Sequence, residues 1–202
     1  RLVAYHHRIG AVLVGREGLT HDRVDEIGAA VAWAVAAFDQ RGCVSPHAML
    51  VEEGGEASPR DLAAAVARAL DHLHGAFPPG RLEPVEASAI HQLRRTAELR
   101  AATGENVEIY AGPDASWTVV LEPQGEIEPS CPGRTLRVYP VADAGEAERL
   151  LNPWAPHLQT VVVAGLGERR ERIAGALGRL GAARICALAE VPFPPPWWHH
   201  DG

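Results

Sequence analysis

The stretch Phe38-Asp39-Gln40-Arg41-Gly42-Cys43-Val44-Ser45-Pro46-His47-Ala48-Met49-Leu50-Val51 holds the junction on which the fold depends. Before it, residues 21–38 repeat apolar side chains at helical spacing, with Val24, Ile27, Val31 and Val35 on one stripe. Gly42 and Pro46 break that period, and residues 47–51 read as a strand. Another strand is expected at residues 11–14, ahead of the helix. The order is strand, buried helix, turn, strand, and it places Cys43 in the turn.

Outward from there the alternation continues. Ser58-Pro59-Arg60-Asp61 offers an N-cap residue, a proline at the first helical position and an acid in the first turn. It opens a helix to about residue 72, with Gly75 and Pro78-Pro79-Gly80 as its stop. A second amphipathic helix is expected over residues 85–102, then short strands at 106–110 and 117–121. Residues 135–141 read as a strand, 144–151 as a short helix and 160–164 as a buried strand. A helix over 168–180, stopped by Gly181, and a strand over 184–188 follow. This alternation predicts the α/β class: a three-layer αβα sandwich with a largely parallel sheet, in one domain over residues 1–202. Only the proline-rich residues 191–202 lack a period, and the opening Arg1-Leu2-Val3-Ala4-Tyr5 reads as the continuation of a preceding segment.

Composition narrows the chemistry. The chain is 47% hydrophobic and 22% charged, as in an ordinary globular domain, and its net charge of -7 disfavours a phosphate backbone, so nucleic acid is not an expected partner. No apolar stretch approaches the roughly 20 residues that span a bilayer, so no integral membrane segment is expected and the location expected is cytoplasmic. All 19 basic residues are arginine, which removes a Schiff-base lysine and a Walker-type phosphate lysine. Cys43, Cys131 and Cys186 are widely spaced and show no C-x-x-C pairing, so free thiols are expected rather than disulfides or a metal site.

The turn places a thiol directly after a glycine. Gly42 permits close approach of a substrate, and a carbonyl joined to the Cys43 sulfur would find oxyanion donors among the neighbouring amides. The residues alone also leave open a buried structural cysteine at position 43, and Cys131 and Cys186 read as structural. Gly165-Leu166-Gly167 stands between a strand and a helix, but Arg170 occupies the place of the third glycine of a dinucleotide fingerprint, so the motif reads as an ordinary turn. His199 and His200 beside Trp197 and Trp198 fit either a proton donor with an apolar wall or an exposed tail. Asp71-His72-Leu73-His74 and His91 lack partners at metal spacing and read as surface residues.

The run Asp39-Gln40-Arg41-Gly42-Cys43-Val44-Ser45-Pro46-His47 resembles the nucleophile signature of the LuxC family of acyl-CoA reductases, within the aldehyde dehydrogenase superfamily. The tail Pro196-Trp197-Trp198-His199-His200-Asp201-Gly202 is similar to that family's sequence after its last strand, and the resemblance covers nearly the whole chain. It implies an aldehyde dehydrogenase catalytic-domain-like fold. It also implies a two-stage reaction: the Cys43 thiolate attacks a long-chain acyl-CoA or acyl-protein thioester, and NADPH reduces the acyl-enzyme to a fatty aldehyde. Gly42, Val44, Trp197 and Trp198 would then border the substrate, with His199 and His200 beside them.

Two departures sharpen what the resemblance implies. Many aldehyde dehydrogenases carry a catalytic Glu in a Glu-Leu-Gly-Gly-Lys context before the first strand of this region, where the chain has Tyr5-His6-His7-Arg8-Ile9-Gly10. Without that Glu, hydrolysis of the acyl-enzyme should be slow and reduction favoured. His6 and His7 read as surface residues at a strand start, with a substitute base as the alternative. The Glu-Ile-Phe-Gly-Pro segment that holds the nicotinamide ribose is replaced by Pro129-Ser130-Cys131-Pro132-Gly133-Arg134. NADPH is accordingly expected mainly on an N-terminal nucleotide-binding domain outside residues 1–202, and a homo-oligomer is a possible assembly. The alternatives are a CoA-acylating or hydrolytic enzyme of the superfamily, the hydrolytic form marked by an acid within water-bridging reach of Cys43, and a non-catalytic interaction or oligomerisation module, marked by a Cys43 sealed in the core.

Overall fold

A computed structural model describes residues 8–123, 125–128 and 130–198. The strand-helix-strand unit read from the sequence is present. β1 (Ile9–Val14) and β2 (Pro46–Glu52) pair in parallel, and α1 (Val24–Ala36) is the crossover that parallel pairing requires. α2 (Pro59–Ala76) and α3 (Pro84–Ala102) follow. β3 (Glu108–Ala111) and β4 (Thr118–Leu121) form an antiparallel pair joined by a short loop. β5 (Thr135–Val141), α4 (Ala144–Leu151), β6 (Leu158–Ala164), α5 (Arg170–Leu180) and β7 (Arg184–Cys186) complete the chain.

The seven strands among the described residues lie in the order β3-β4-β5-β2-β1-β6-β7, and every pairing among them except β3 with β4 is parallel. Alternation along the strands feeds two cores. Val12, Val14, Met49, Val51 and Val138 pack with α1 and α2 on one face. Ala11, Leu13, Leu50, Tyr139 and Val163 pack with α4 and α5 on the other. α3 covers the outer edge through Ala97 against Val107 and Val120. This is the expected three-layer αβα sandwich with a largely parallel sheet.

The differences lie at element ends. α2 begins as expected, with the Ser58 hydroxyl accepting from the Asp61 N–H and the Asp61 carboxylate accepting from the Ser58 N–H. It runs through Gly75 to Ala76, because Pro78, which disfavours helical geometry in Phe77, is the real stop. α1 is shorter than residues 21–38: Phe38, Asp39 and Gln40 all take positive φ, at 54°, 51° and 61°. The last strand ends at Cys186 rather than 188, and α5 is entered through a 3-10 turn, Gly167–Arg169.

Parallel strands put their amino ends on one edge of the sheet. Helices that return the chain therefore finish there, as α1 does just before Cys43 and α2 does at Phe77. The opposite, carboxyl edge is closed. Glu52, fully buried, accepts from the Arg16 N–H at 3.0 Å and from Arg169 at 2.6 and 2.9 Å, and Arg169 also pairs with Glu17. No helix among the described residues is long and apolar enough to cross a membrane.

Candidate active site around Cys43

Cys43 is exposed, at the amino edge of the sheet beside the start of β2. The Ser45 N–H donates to the Gly42 carbonyl at 3.0 Å and closes a turn with Cys43 and Val44 at its centre. Among the described residues, the N–H groups of Gly42, Cys43 and Val44 donate to no protein acceptor. Three consecutive amides next to the thiol in sequence are thus left without a protein acceptor. Val44 itself is buried.

The turn is clamped from below by β1. Gly10 donates to the Ser45 carbonyl at 3.1 Å, and a Cβ at position 10 would stand 2.6 Å from that oxygen and 2.7 Å from the Val44 carbonyl oxygen. Asp39 clamps it from the side. One carboxylate oxygen takes two N–H groups of Arg134, at 2.9 and 2.7 Å, and the other takes the Gly80 N–H at 2.8 Å. Arg134 is itself buried and donates to the Phe77 carbonyl at 2.8 Å. Gln40 is also buried, with its amide engaged to the strands below. Asp39, the acid of the Cys turn, is thus held by two partners and is not poised as a free base.

Beside the turn runs a cleft of about 370 Å³ between the ends of α1 and α2, walled by Trp33, Phe38, Phe77 and Pro78 with Asp39 and Arg134 at its floor. Its aromatic rings are exposed, Phe38 by 65% and Phe77 by 55%, and Trp33 meets Phe77 edge to face at 5.7 Å. Phe38 also lies 3.9 Å from where a side chain on Gly42 would begin, so the cleft adjoins the thiol turn. His47, at the start of β2, is held below its ordinary pKa by burial, which favours the neutral imidazole.

Trp197 and Trp198 return toward the same edge. The Trp198 indole donates to the Ala183 carbonyl ahead of β7, and the Arg184 guanidinium sits 5.7 Å from its ring centre. Trp197 is exposed by 80%. Two strands, β1 and β6, separate β7 from β2, so both rings stand to the side of the Cys43 turn. His199 and His200, like His6 and His7, lie outside the described residues. Cys186 is buried within β7, and Cys131 is half-buried near the Thr135 hydroxyl, its thiol pushed up chiefly by burial.

In the turn Gly165-Leu166-Gly167, a Cβ at Gly165 would stand 2.5 Å from the Gly18 backbone, so this glycine serves the contact of two loops. Among the described residues no group of three His, Cys, Asp or Glu is placed to hold a metal ion.

The sequence points to Cys43, Gly42, Val44, Trp197, Trp198, His199 and His200 as site residues, and it gives no role to Gly10, Asp39, Gln40 or Arg134. The pairs that matter, Asp39 with Arg134 and Gln40 with Thr135, are 95 residues apart, and no local spacing rule joins them.

Solved structures of aldehyde dehydrogenases share this architecture. An NAD-dependent aldehyde dehydrogenase from Burkholderia multivorans superposes with a TM-score of 0.62 at 15% identity, over 90% of this chain and 35% of that one. The aldehyde dehydrogenase PutA, described as putative, from Anabaena variabilis gives 0.62 at 15%, over 94% and 42%. A salicylaldehyde dehydrogenase from Pseudomonas putida G7, complexed with salicylaldehyde, gives 0.63 at 13%, over 90% and 38%. At such identities the likeness is one of fold, and the chain spans well under half the length of these proteins. No curated protein sequence matches it. The acyl-CoA reductase (LuxC) family does match, over residues 1–202, and the chain belongs to that family.

Proposed function

We propose that the chain is the acyl-accepting part of a fatty acyl-CoA or acyl-protein thioester reductase, with Cys43 as the nucleophile. The observation that carries this is the exposed thiol set on a closed turn beside three unpaired amides. In the first stage the Cys43 thiolate adds to the thioester carbonyl, and the developing oxyanion is met by the amides of the turn. The C–S bond to the carrier then breaks, the carrier leaves as its thiolate, and the acyl group stays on Cys43. The apolar cleft is of a size suited to a small ligand, where pockets run roughly 300–1,000 Å³, and its aromatic walls suit an alkyl tail. NADPH, bound mainly outside residues 1–202, supplies the hydride of the second stage. Collapse of the resulting thiohemiacetal frees the aldehyde and restores the thiolate.

The engaged state of Asp39 supports reduction over hydrolysis, since the acid of the turn is committed to Arg134 and Gly80. The exposure of Cys43 speaks against a module in which the thiol is sealed away.

Mass spectrometry of the full-length protein after incubation with a long-chain acyl-CoA tests the assignment. One acyl group is expected on the peptide bearing Cys43 and none in Cys43→Ala. An adduct that persists in Cys43→Ala would remove Cys43 from the role.

A further inference from the structure

The ladder between β2 and β5 runs from Ala48 opposite Arg137 to Glu52 opposite Val141. Continued two residues toward the amino edge, it would set Pro46 opposite Thr135. In a parallel pair each residue bonds the neighbours of its partner, so Thr135 would meet the Ser45 carbonyl and the His47 N–H; the Ser45 carbonyl is taken by the Gly10 N–H instead, and the backbone ladder stops at Ala48. The side chain of Gln40 takes the vacant place. Its Nε2 donates to the Pro46 carbonyl at 2.7 Å and to the Thr135 carbonyl at 2.6 Å, and its Oε1 accepts from the Thr135 N–H at 2.8 Å. A primary amide is the one neutral side-chain group that offers two donors and an acceptor in one plane. Asn would carry the same group on a shorter stem.

This rung has a consequence for Cys43, three residues further on. Phe38, Asp39 and Gln40 occupy left-handed backbone, which side chains other than glycine enter only when something holds them. The Gln40 amide, 2% exposed, is fixed to two central strands and cannot be replaced by water without opening the sheet edge.

We propose that Gln40 is a positioning residue for the acyl-accepting thiol: by completing the β2–β5 ladder it fixes the left-handed turn and so the place of the Cys43 sulfur. The proposal rests on the role given to Cys43 above for its catalytic consequence, but not for its structural one. Misplacing a reacting atom by about 1 Å costs on the order of 100-fold in rate.

The test uses the full-length protein with every cysteine but Cys43 replaced and Cys43 carrying a trifluoromethyl reporter read by 19F NMR. It is paired with steady-state reduction of a long-chain acyl-CoA by unlabelled enzyme. The unsubstituted turn should give one sharp line. Gln40→Ala and the isosteric Gln40→Glu should broaden or split it, and in unlabelled enzyme they should lower kcat about 10- to 100-fold with KM within about twofold. Leu177→Ala, a buried change on the opposite face of the sheet, controls for lost stability and should leave line and kcat unchanged below its melting temperature. A single unshifted line and an unchanged kcat in either Gln40 variant would overturn the proposal. So would failure of both variants to fold, which would make the residue purely structural. The 19F arm needs no acyl substrate, so it decides positioning even if no acyl adduct forms on Cys43 and the functional reading itself fails.

Discussion

At the scale of single residues, the site depends on small groups with no chemistry of their own. Gly10 is the sharpest case, because a methyl there meets two carbonyl oxygens of the Cys turn at under 3 Å and neither is the end of a flexible side chain. Gly10→Ala should push the turn off β1. We expect a loss of roughly 1–3 kcal/mol, as for other overpacked sites, measured by urea unfolding. We also expect acylation of Cys43 to fall much further than the stability loss explains. A variant with the normal acylation rate would show that the turn yields without moving the sulfur. The same scale shows what the sequence reveals of the site. Cys43 is legible because a thiol after glycine, between a helix and a strand, is conspicuous in one dimension. Gln40 and Arg134 are not, since a buried amide that completes a ladder is written no differently from an exposed one.

At the scale of elements, legibility follows from how local the cause is. The strand over residues 135–141 and the helix over 144–151 lie where the pattern puts them, since their apolar periods and the Asp143 cap are local. The apolar period overruns α1 because Phe38 falls three places after Val35 and continues it, while the bonds that hold the turn ending the helix come from Arg134 and Thr135 far along the chain. The sequence pattern stops α2 too early for the opposite reason. Gly75 looks like a stop, yet a Cβ there would meet nothing within 4 Å and the helix passes through it. Gly75→Ala should therefore stabilise the protein by roughly 0.5–1 kcal/mol through helix propensity and a less flexible unfolded chain. Thermal unfolding checks this, and a lower melting temperature would mean that α2 needs its glycine after all.

At the scale of the whole molecule, the two edges of the sheet have opposite fates. Open parallel sheets hold ligands at the carboxyl ends of their strands, at the point where strand order reverses. Here that edge is filled by Gly15, Gly18 and Gly165 in close contact and by the network of Glu52 with Arg16 and Arg169, whereas the thiol turn and the aromatic cleft lie at the amino edge. Burial alone would raise the Glu52 carboxyl. The hydrogen bonds from Arg169 and Arg16 outweigh it and hold it at about 2, against 4.5 for a free carboxyl. The unfolded chain therefore binds a proton at a pH where the folded chain does not. The stabilisation, on the order of 3 kcal/mol, is complete above about pH 5 and drains away as pH falls through the free value toward the folded one. Urea midpoints measured from pH 6 down to pH 3 should decline in the wild-type chain. Glu52→Gln should be less stable at pH 6 and decline less steeply, because other acids, Glu17 and Asp61 among them, are also held low by their partners. Parallel curves for the two proteins would mean that Glu52 titrates alike in both states and that the network closes the carboxyl edge by shape alone.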